Sequence, residues 1–321
     1  MGILTAFALA AAIQSGTPTL PAQTDIDASG PAGPLRGTLL APAPNGVPVI
    51  LIVPGSGPID RNGNGPGLRT STYKLLAEGL STRGVATVRI DKRGMNGSAS
   101  AVPDADAVTI DDYANDVHSW VAAIRKRTGA SCVWVSGHSE GGLVALVAGQ
   151  NSSDICGLIL IATPGRPLGE VIREQLQSNL ADARMLDNAL SVLDVLEAGQ
   201  RVDASRIDPA LMPLFRPQVQ GLLMSELSVD PARLIATYNK PVLIMQGQRD
   251  VQVKPRDAKR LKYADPHAEL ILLPDTNHFL KAVIGGESSE KSPSNINADL
   301  PLENNVIDAI HDFVKNAPNN R

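Results

Sequence analysis

The stretch Val133-Trp-Val-Ser-Gly-His-Ser-Glu-Gly-Gly142 constrains the fold of this chain more than any other. A β-branched apolar run enters Gly-x-Ser-x-Gly with Ser139 at its centre, and Leu143, Val144, Leu146 and Val147 follow at helical spacing. That order reads as a strand, a sharp turn and a helix. A serine at such a turn is held in a strained backbone conformation. Gly137 and Gly141 flank it because a side chain at either place collides as strand and helix pack closely. The Ser139 hydroxyl then stands clear of the sheet, and the N–H of Glu140, opening the helix, faces the same space. The alternative, a glycine-rich turn with an incidental serine, is weakened by the strand before it and the helix after it.

Around this segment the chain alternates two kinds of pattern. Residues 35–40, 47–53, 85–90 and 157–162 read as strands, and residues 72–83 and 111–127 read as amphipathic helices stopped by Gly84 and Gly129. Continuous apolar runs alternating with helices predict an α/β fold, a mostly parallel central sheet with helices on both faces. The rhythm breaks over residues 164–239. There Leu168, Val171, Ile172 and Leu176, then Leu186, Leu190, Leu193 and Leu196, fall at helical spacing, and Pro213, Pro217 and Pro231 cut the remainder into short pieces. This predicts a helical cap inserted over the sheet. Strands resume at residues 241–247 and 268–273, a polar stretch fills 285–299, and a last helix covers 303–315. The expected organisation is a core of residues 24–163 and 240–321, a cap of residues 164–239, and a signal peptide or tail of residues 1–23.

Composition narrows the partners. A formal charge of −4 with scattered Lys and Arg argues against nucleic acid, and 3% aromatic residues against a stacking platform for bases or sugars. Residues 1–13 are almost wholly apolar and small, which resembles the h-region of a secretory signal and is too short to cross a bilayer. The first basic residue is Arg36, so the usual positive n-region is missing. A secreted or periplasmic protein with no stable membrane anchor is the expectation, and a cytoplasmic protein with an N-terminal tail is the alternative. Cys132 and Cys156 each sit by the start of an apolar run. Two buried free thiols are expected there in preference to a disulfide, and the pair makes no metal site.

A serine hydroxyl needs a base to take its proton and an acid to orient that base. With this architecture the chain order is Ser, Asp or Glu, His, which leaves three of the five histidines: His267, His278 and His311. His267 lies at the start of its strand and His311 on the terminal helix. His278 follows the strand 270–273 in a loop, at the strand end where catalytic groups gather, and is the candidate base. His138 is expected to point away from Ser139. Asp250 is the one carboxylate in the loop after the preceding strand, and Asp275 is too local to His278 to grip its ring from the other side. The glycine-rich loop after Val53, Pro-Gly-Ser-Gly-Pro-Ile-Asp-Arg, offers the Ser56 N–H as a second oxyanion donor beside Glu140. It lacks the Lys-Ser/Thr of a phosphate loop. Asp60 and Arg61 are expected to pin this loop, and the charged residues after Arg89 to pin a tight turn.

With these segments in order, the chain resembles the α/β-hydrolases, and among them bacterial carboxylesterases of the serine aminopeptidase-like group. The likeness is carried by Pro-Gly-Ser-Gly-Pro-Ile-Asp-Arg at 54–61, Asp-Lys-Arg-Gly at 91–94, Gly-His-Ser-Glu-Gly-Gly at 137–142, Leu-Phe-Arg-Pro at 214–217, Gln-Gly-Gln-Arg-Asp-Val-Gln-Val at 246–253 and Asn277-His278. It implies a cofactor-free serine hydrolase acting on small-molecule carboxylic esters. Ser139 would be nucleophile, Asp250 acid and His278 base, with Ser56 and Glu140 as oxyanion donors. One departure is Asn96, where the turn Arg-Gly-x-Gly-x-Ser usually has glycine; asparagine tolerates a positive φ. Leu211, Met212, Leu214, Phe215, Leu222 and Leu223 of the cap are candidates for an acyl pocket, with helix-to-helix packing as the competing use. The same triad would also serve an aminopeptidase or amidase, given an acidic cluster such as Glu140, Glu170 and Glu174, or a thioesterase. A catalytically silent ligand-binding protein is the reading from a different class.

Overall fold

The computed structural model describes residues 20–42, 46–283 and 297–317. Residues 1–19 of the expected signal or tail, 1–23, and residues 284–296, which take in most of the polar stretch 285–299, lie outside them. One eight-stranded sheet organises the chain: β1 (Gln23–Ser29), β2 (Pro34–Leu40), β3 (Val49–Val53), β6 (Ala86–Ile90), β7 (Val133–His138), β8 (Ile155–Ile161), β9 (Val242–Gly247) and β10 (Glu269–Leu273). Its spatial order is β1-β2-β6-β3-β7-β8-β9-β10. β1 with β2 and β2 with β6 are antiparallel, and every later pair is parallel. β4 (Asn64–Gly65) and β5 (Leu68–Arg69) form a separate two-stranded hairpin in the loop after β3.

Burial explains the strands. β3, β6, β7 and β9 are buried at every position, as strands covered on both faces must be. On one face Leu51, Val88 and Val135 pack with α2 (Ile110–Thr128) and α3 (Glu140–Gly149). On the other, Ile50, Ile52 and Met245 pack with α1 (Thr72–Thr82) and α10 (Asn305–Asn316). This is the architecture that the resemblance to α/β-hydrolases implies. β1 goes beyond the expected strands: only its Ile26 and Ala28 face inward, so its sequence is mostly polar.

Between β8 and β9 come α4 (Leu168–Asn179), α5 (Ala183–Glu197), α6 (Met212–Phe215), α7 (Gln220–Leu227) and α8 (Pro231–Ala236). α4 to α7 bury an apolar cluster of their own around Ile172, Leu193, Leu196 and Phe215, and α9 (Pro255–Ala264) returns to the sheet.

The expectation of two free thiols is corrected. Cys132 and Cys156 are joined in a disulfide, with Cα atoms 5.2 Å apart. β7 and β8 are neighbours, and a register irregularity at Val133/Trp134 leaves Cys156 as an extra residue between the Val133–Ile155 and Trp134–Gly157 pairs. That local offset puts the two cysteines within the span a disulfide bridges. Strand order alone does not reveal it.

Candidate active site

β7 ends at His138 and α3 begins at Glu140, so Ser139 makes the turn by itself, at φ 54° and ψ −121°. The strain is sustained by close packing on both sides. A Cβ on Gly137 would lie 2.1 Å from the Gly141 carbonyl oxygen, and one on Gly141 would lie 2.4 Å from that of Val53. Strand and helix can approach this closely only where both positions are glycine.

His278 and Asp250 meet as expected from chain order, with Nδ1 2.8 Å from Oδ2 and both side chains buried. A carboxylate only accepts, so Nδ1–H donates and Nε2 keeps its lone pair. Asp250 is held from three other sides. Its Oδ1 accepts the N–H of Gln252 at 2.8 Å and of Val253 at 2.9 Å, and its Oδ2 accepts from Gln246 Nε2 at 3.0 Å. Burial works to raise this carboxyl, but His278 and the two backbone N–H groups outweigh it and hold Asp250 below the usual carboxylate range.

The loop after β3 is pinned by Asp60 and Arg61. Asp60 Oδ1 accepts the N–H groups of Asn62 and Asn64 at 2.8 and 2.9 Å, and Arg61 donates to Asp91 Oδ2 from Nε at 2.9 Å and Nη2 at 2.6 Å. The turn beyond Asp91 keeps its shape with Asn96 at φ 46°. Its charged residues reach further than that turn: Arg93 pairs with Asp116 on α2 at 2.6 Å, and Lys92 with Glu140 at 2.8 Å. In the glycine run, the Gly55 N–H is committed to the Tyr73 hydroxyl at 3.0 Å, which leaves Ser56 as the next amide along.

His138, the residue before Ser139, is tied into the site. Its ring is buried, 4.7 Å from that of His278, with Nδ1 2.9 Å from the Tyr73 oxygen and Nε2 2.9 Å from the His278 carbonyl. The carbonyl can only accept, so Nε2 carries the proton and Nδ1 takes the Tyr73 O–H. Burial first, and then His278, push this imidazole down to about 3. One buried chain of hydrogen bonds therefore links the glycine loop, the residue before Ser139 and the backbone of His278. Tyr73 is a member that residue-by-residue reading misses; the signal available was an aromatic residue one place inside the helix after the glycine loop.

Ser56, Ser139 and His278 line one cavity of about 160 Å³, with Ile59, Leu68 and Phe279 as its apolar walls. Its other hydroxyls are used internally: Thr70 donates to the Gly63 carbonyl at 2.8 Å and Thr72 to that of Phe279 at 3.0 Å. Among the described residues, none from 164–239 lines this cavity. Leu211, Phe215 and Leu223 are buried in the α4–α7 cluster with Met212 against it, Leu222 packs against the core of the sheet, and Leu214 is exposed. A depression of about 600 Å³ at the other end of the sheet surrounds the cystine and offers neither nucleophile nor base, so size does not mark the site.

Comparisons with known proteins bear on the family and the fold. The family described as serine aminopeptidase, S33, matches residues 64–280, more than half the chain and beginning beyond the 54–61 loop. Esterase EstD of Thermotoga maritima is 29% identical over 286 residues, which cover 86% of this chain and 64% of EstD. The chain thus spans less than two thirds of that relative. Among solved structures, Est1E from Butyrivibrio proteoclasticus superposes with a TM-score of 0.54 at 18% identity, over 79% of this chain and 90% of Est1E. The Pyrococcus furiosus esterase Pf2001 gives 0.52 at 16% identity, over 80% and 84%. At these identities the structural likeness speaks for the fold alone. Taken with the family match, it establishes that the chain belongs to the serine aminopeptidase S33 family of α/β-hydrolases, among relatives named esterases.

Proposed function

We propose that this protein hydrolyses carboxylic esters with short acyl groups through an acyl-enzyme on Ser139. The contact that supports this most is His278 Nδ1 on Asp250 Oδ2 at 2.8 Å, because it leaves Nε2 as a base in a residue that shares a cavity with Ser139. His278 takes the Ser139 proton as Oγ attacks the ester carbonyl, the N–H groups of Ser56 and Glu140 receive the oxyanion, and His278 returns the proton to the departing alcohol. Water then repeats the sequence on the acyl-enzyme. No cofactor enters these steps.

The cavity favours esters over aminoacyl amides. A substrate ammonium would need a carboxylate, and none of the described residues lining the cavity carries one. Glu140 pairs with Lys92, Glu174 pairs with Arg166 and Arg256, and Glu170 lies on α4. The small apolar wall favours acetyl to butyryl over long chains. We expect p-nitrophenyl acetate and butyrate to be cleaved, aminoacyl p-nitroanilides not, and Ser139→Ala to lower kcat by at least about 1000-fold. Failure of wild type to cleave any ester, or retention of activity by Ser139→Ala, would sink this reading.

Export is the localisation we propose. The apolar run at residues 1–13 and the Cys132–Cys156 bridge both fit an oxidising compartment. Intact mass of protein recovered from its native host tests it: the mature chain should begin after residue 14, and a chain retaining Met1 and reduced thiols would argue for the cytoplasm.

A further inference from the structure

Behind the Ser139 turn lies a buried group of ionisable side chains that the proposed chemistry does not use. Glu140 contributes the candidate oxyanion N–H from its backbone, while its side chain runs the other way, to Lys92 Nζ at 2.8 Å. Both side chains are nearly inaccessible, at 9% and 2% exposure. On α7, the Glu226 carboxyl comes within reach of the same carboxylate. Glu226 is itself buried, and its Oε1 has no hydrogen-bond partner among the described residues. Tyr113 on α2 completes the group, with Lys92 Nζ 5.1 Å from its ring centre. The next charges along α2, Asp112 and Asp116, are paired with Arg93. Three elements therefore bring one ammonium and two carboxyl groups together away from water.

Elementary electrostatics restricts what such a group can be. Two carboxylates beside a single ammonium would leave an uncompensated negative charge in a medium that solvates it poorly. Two carboxyl groups also hydrogen-bond to each other only if one of them carries a proton. We propose that Lys92, Glu140 and Glu226 form a one-proton cluster in which Glu226 is a neutral acid donating to Glu140, and that this cluster positions the first turn of α3. Its bearing on catalysis rests on the Glu140 amide being an oxyanion donor. The proton belongs on Glu226, because Glu140 has the ammonium and Glu226 does not.

The shifts of the individual groups agree. Burial, and then the Glu140 carboxylate, push Glu226 well above the usual carboxyl range against the opposing pull of Lys92. Burial would lower the Lys92 ammonium, and Glu140 more than reverses that. Burial also pushes the Tyr113 phenol up to about 12, which leaves it neutral and outside the proton count. The sign of the pH effect follows. An unfolded glutamate gives up its proton near its ordinary value, whereas folded Glu226 keeps it to higher pH. The stability this cluster contributes is complete below the ordinary value and falls as pH rises through the folded one. Once the proton is gone, Glu226 and Glu140 repel each other, and α7 is pushed from the start of α3.

Glu226→Gln tests this, because the amide keeps the size and the donor but has no proton to lose. Infrared spectra at neutral pH should show a protonated-carboxyl band in wild type that is missing from Glu226→Gln. After correction for intrinsic rates, hydrogen exchange over residues 139–149 and 220–227 should accelerate at alkaline pH in wild type and not in the variant. The kcat for ester hydrolysis should fall over the same alkaline range in wild type alone, at unchanged KM. Identical infrared spectra at neutral pH overturn the proton assignment, and identical pH dependence of exchange overturns the positioning role. Neither measurement needs a substrate, so a wild type that cleaves no ester would sink the reading of Ser139 and leave this cluster to be judged separately.

Discussion

Asp250 shows how much one side chain can be asked to do in this fold. Its two oxygens take the His278 ring, two backbone N–H groups and the Gln246 amide, so it fixes a tautomer and closes its own loop at once. The folded state holds it ionised below the usual carboxylate range, which sets the direction of its pH dependence. The stability it contributes is complete above the unfolded value and is lost as pH falls through the lower, folded one. Asp250→Asn should therefore be less stable than wild type at neutral pH, with the gap narrowing in acid; urea melts across a pH series would read it. The same variant should lose about 10⁴-fold in kcat, because an amide facing His278 no longer selects the Nδ1–H tautomer. A gap that widened in acid would contradict the ionised assignment.

Secondary elements were legible wherever burial made them monotonous. The strands at β3, β6, β7 and β9 are buried on both faces, with mostly apolar runs, and chain order then led from Ser139 to His278 and Asp250. β1 escaped because Asp25 and Asp27 alternate with Ile26 and Ala28, a pattern with two inward residues that reads as polar chain. Tyr73 and Lys92 escaped for another reason. Their partners, His138 and Glu140, lie 65 and 48 residues away, and no local spacing announces such contacts. The α4–α7 segment was recognisable as helical, but its leucines serve packing and not the cavity. Phe215, fully buried in that cluster, gives the test. Phe215→Ala should cost about 3–5 kcal/mol of stability, measured by denaturant melts, and leave KM for p-nitrophenyl acetate unchanged. A raised KM would mean that these helices do shape the binding site.

At the scale of the molecule, the sheet has two ends with different tasks. The carboxyl ends of β3, β7, β9 and β10 lead into the loops that carry Ser56, Ser139, Asp250 and His278, while the opposite end carries the Cys132–Cys156 bridge. A bridge spanning 24 residues is worth about 3 kcal/mol through the entropy it removes from the unfolded chain, and its distance from the cavity keeps that gain separate from the chemistry. The bridge closes a ring that contains β7, Ser139 and α3 entire. No lysine or arginine lies inside that ring, and Arg166 is followed by Pro167, so trypsin releases residues 128–173 as one piece. That single fragment carries both marks at once: an acyl group trapped on Ser139 adds its own mass, and a closed bridge removes two hydrogens. Occupancy of the nucleophile and oxidation of the chain can thus be counted on the same molecules.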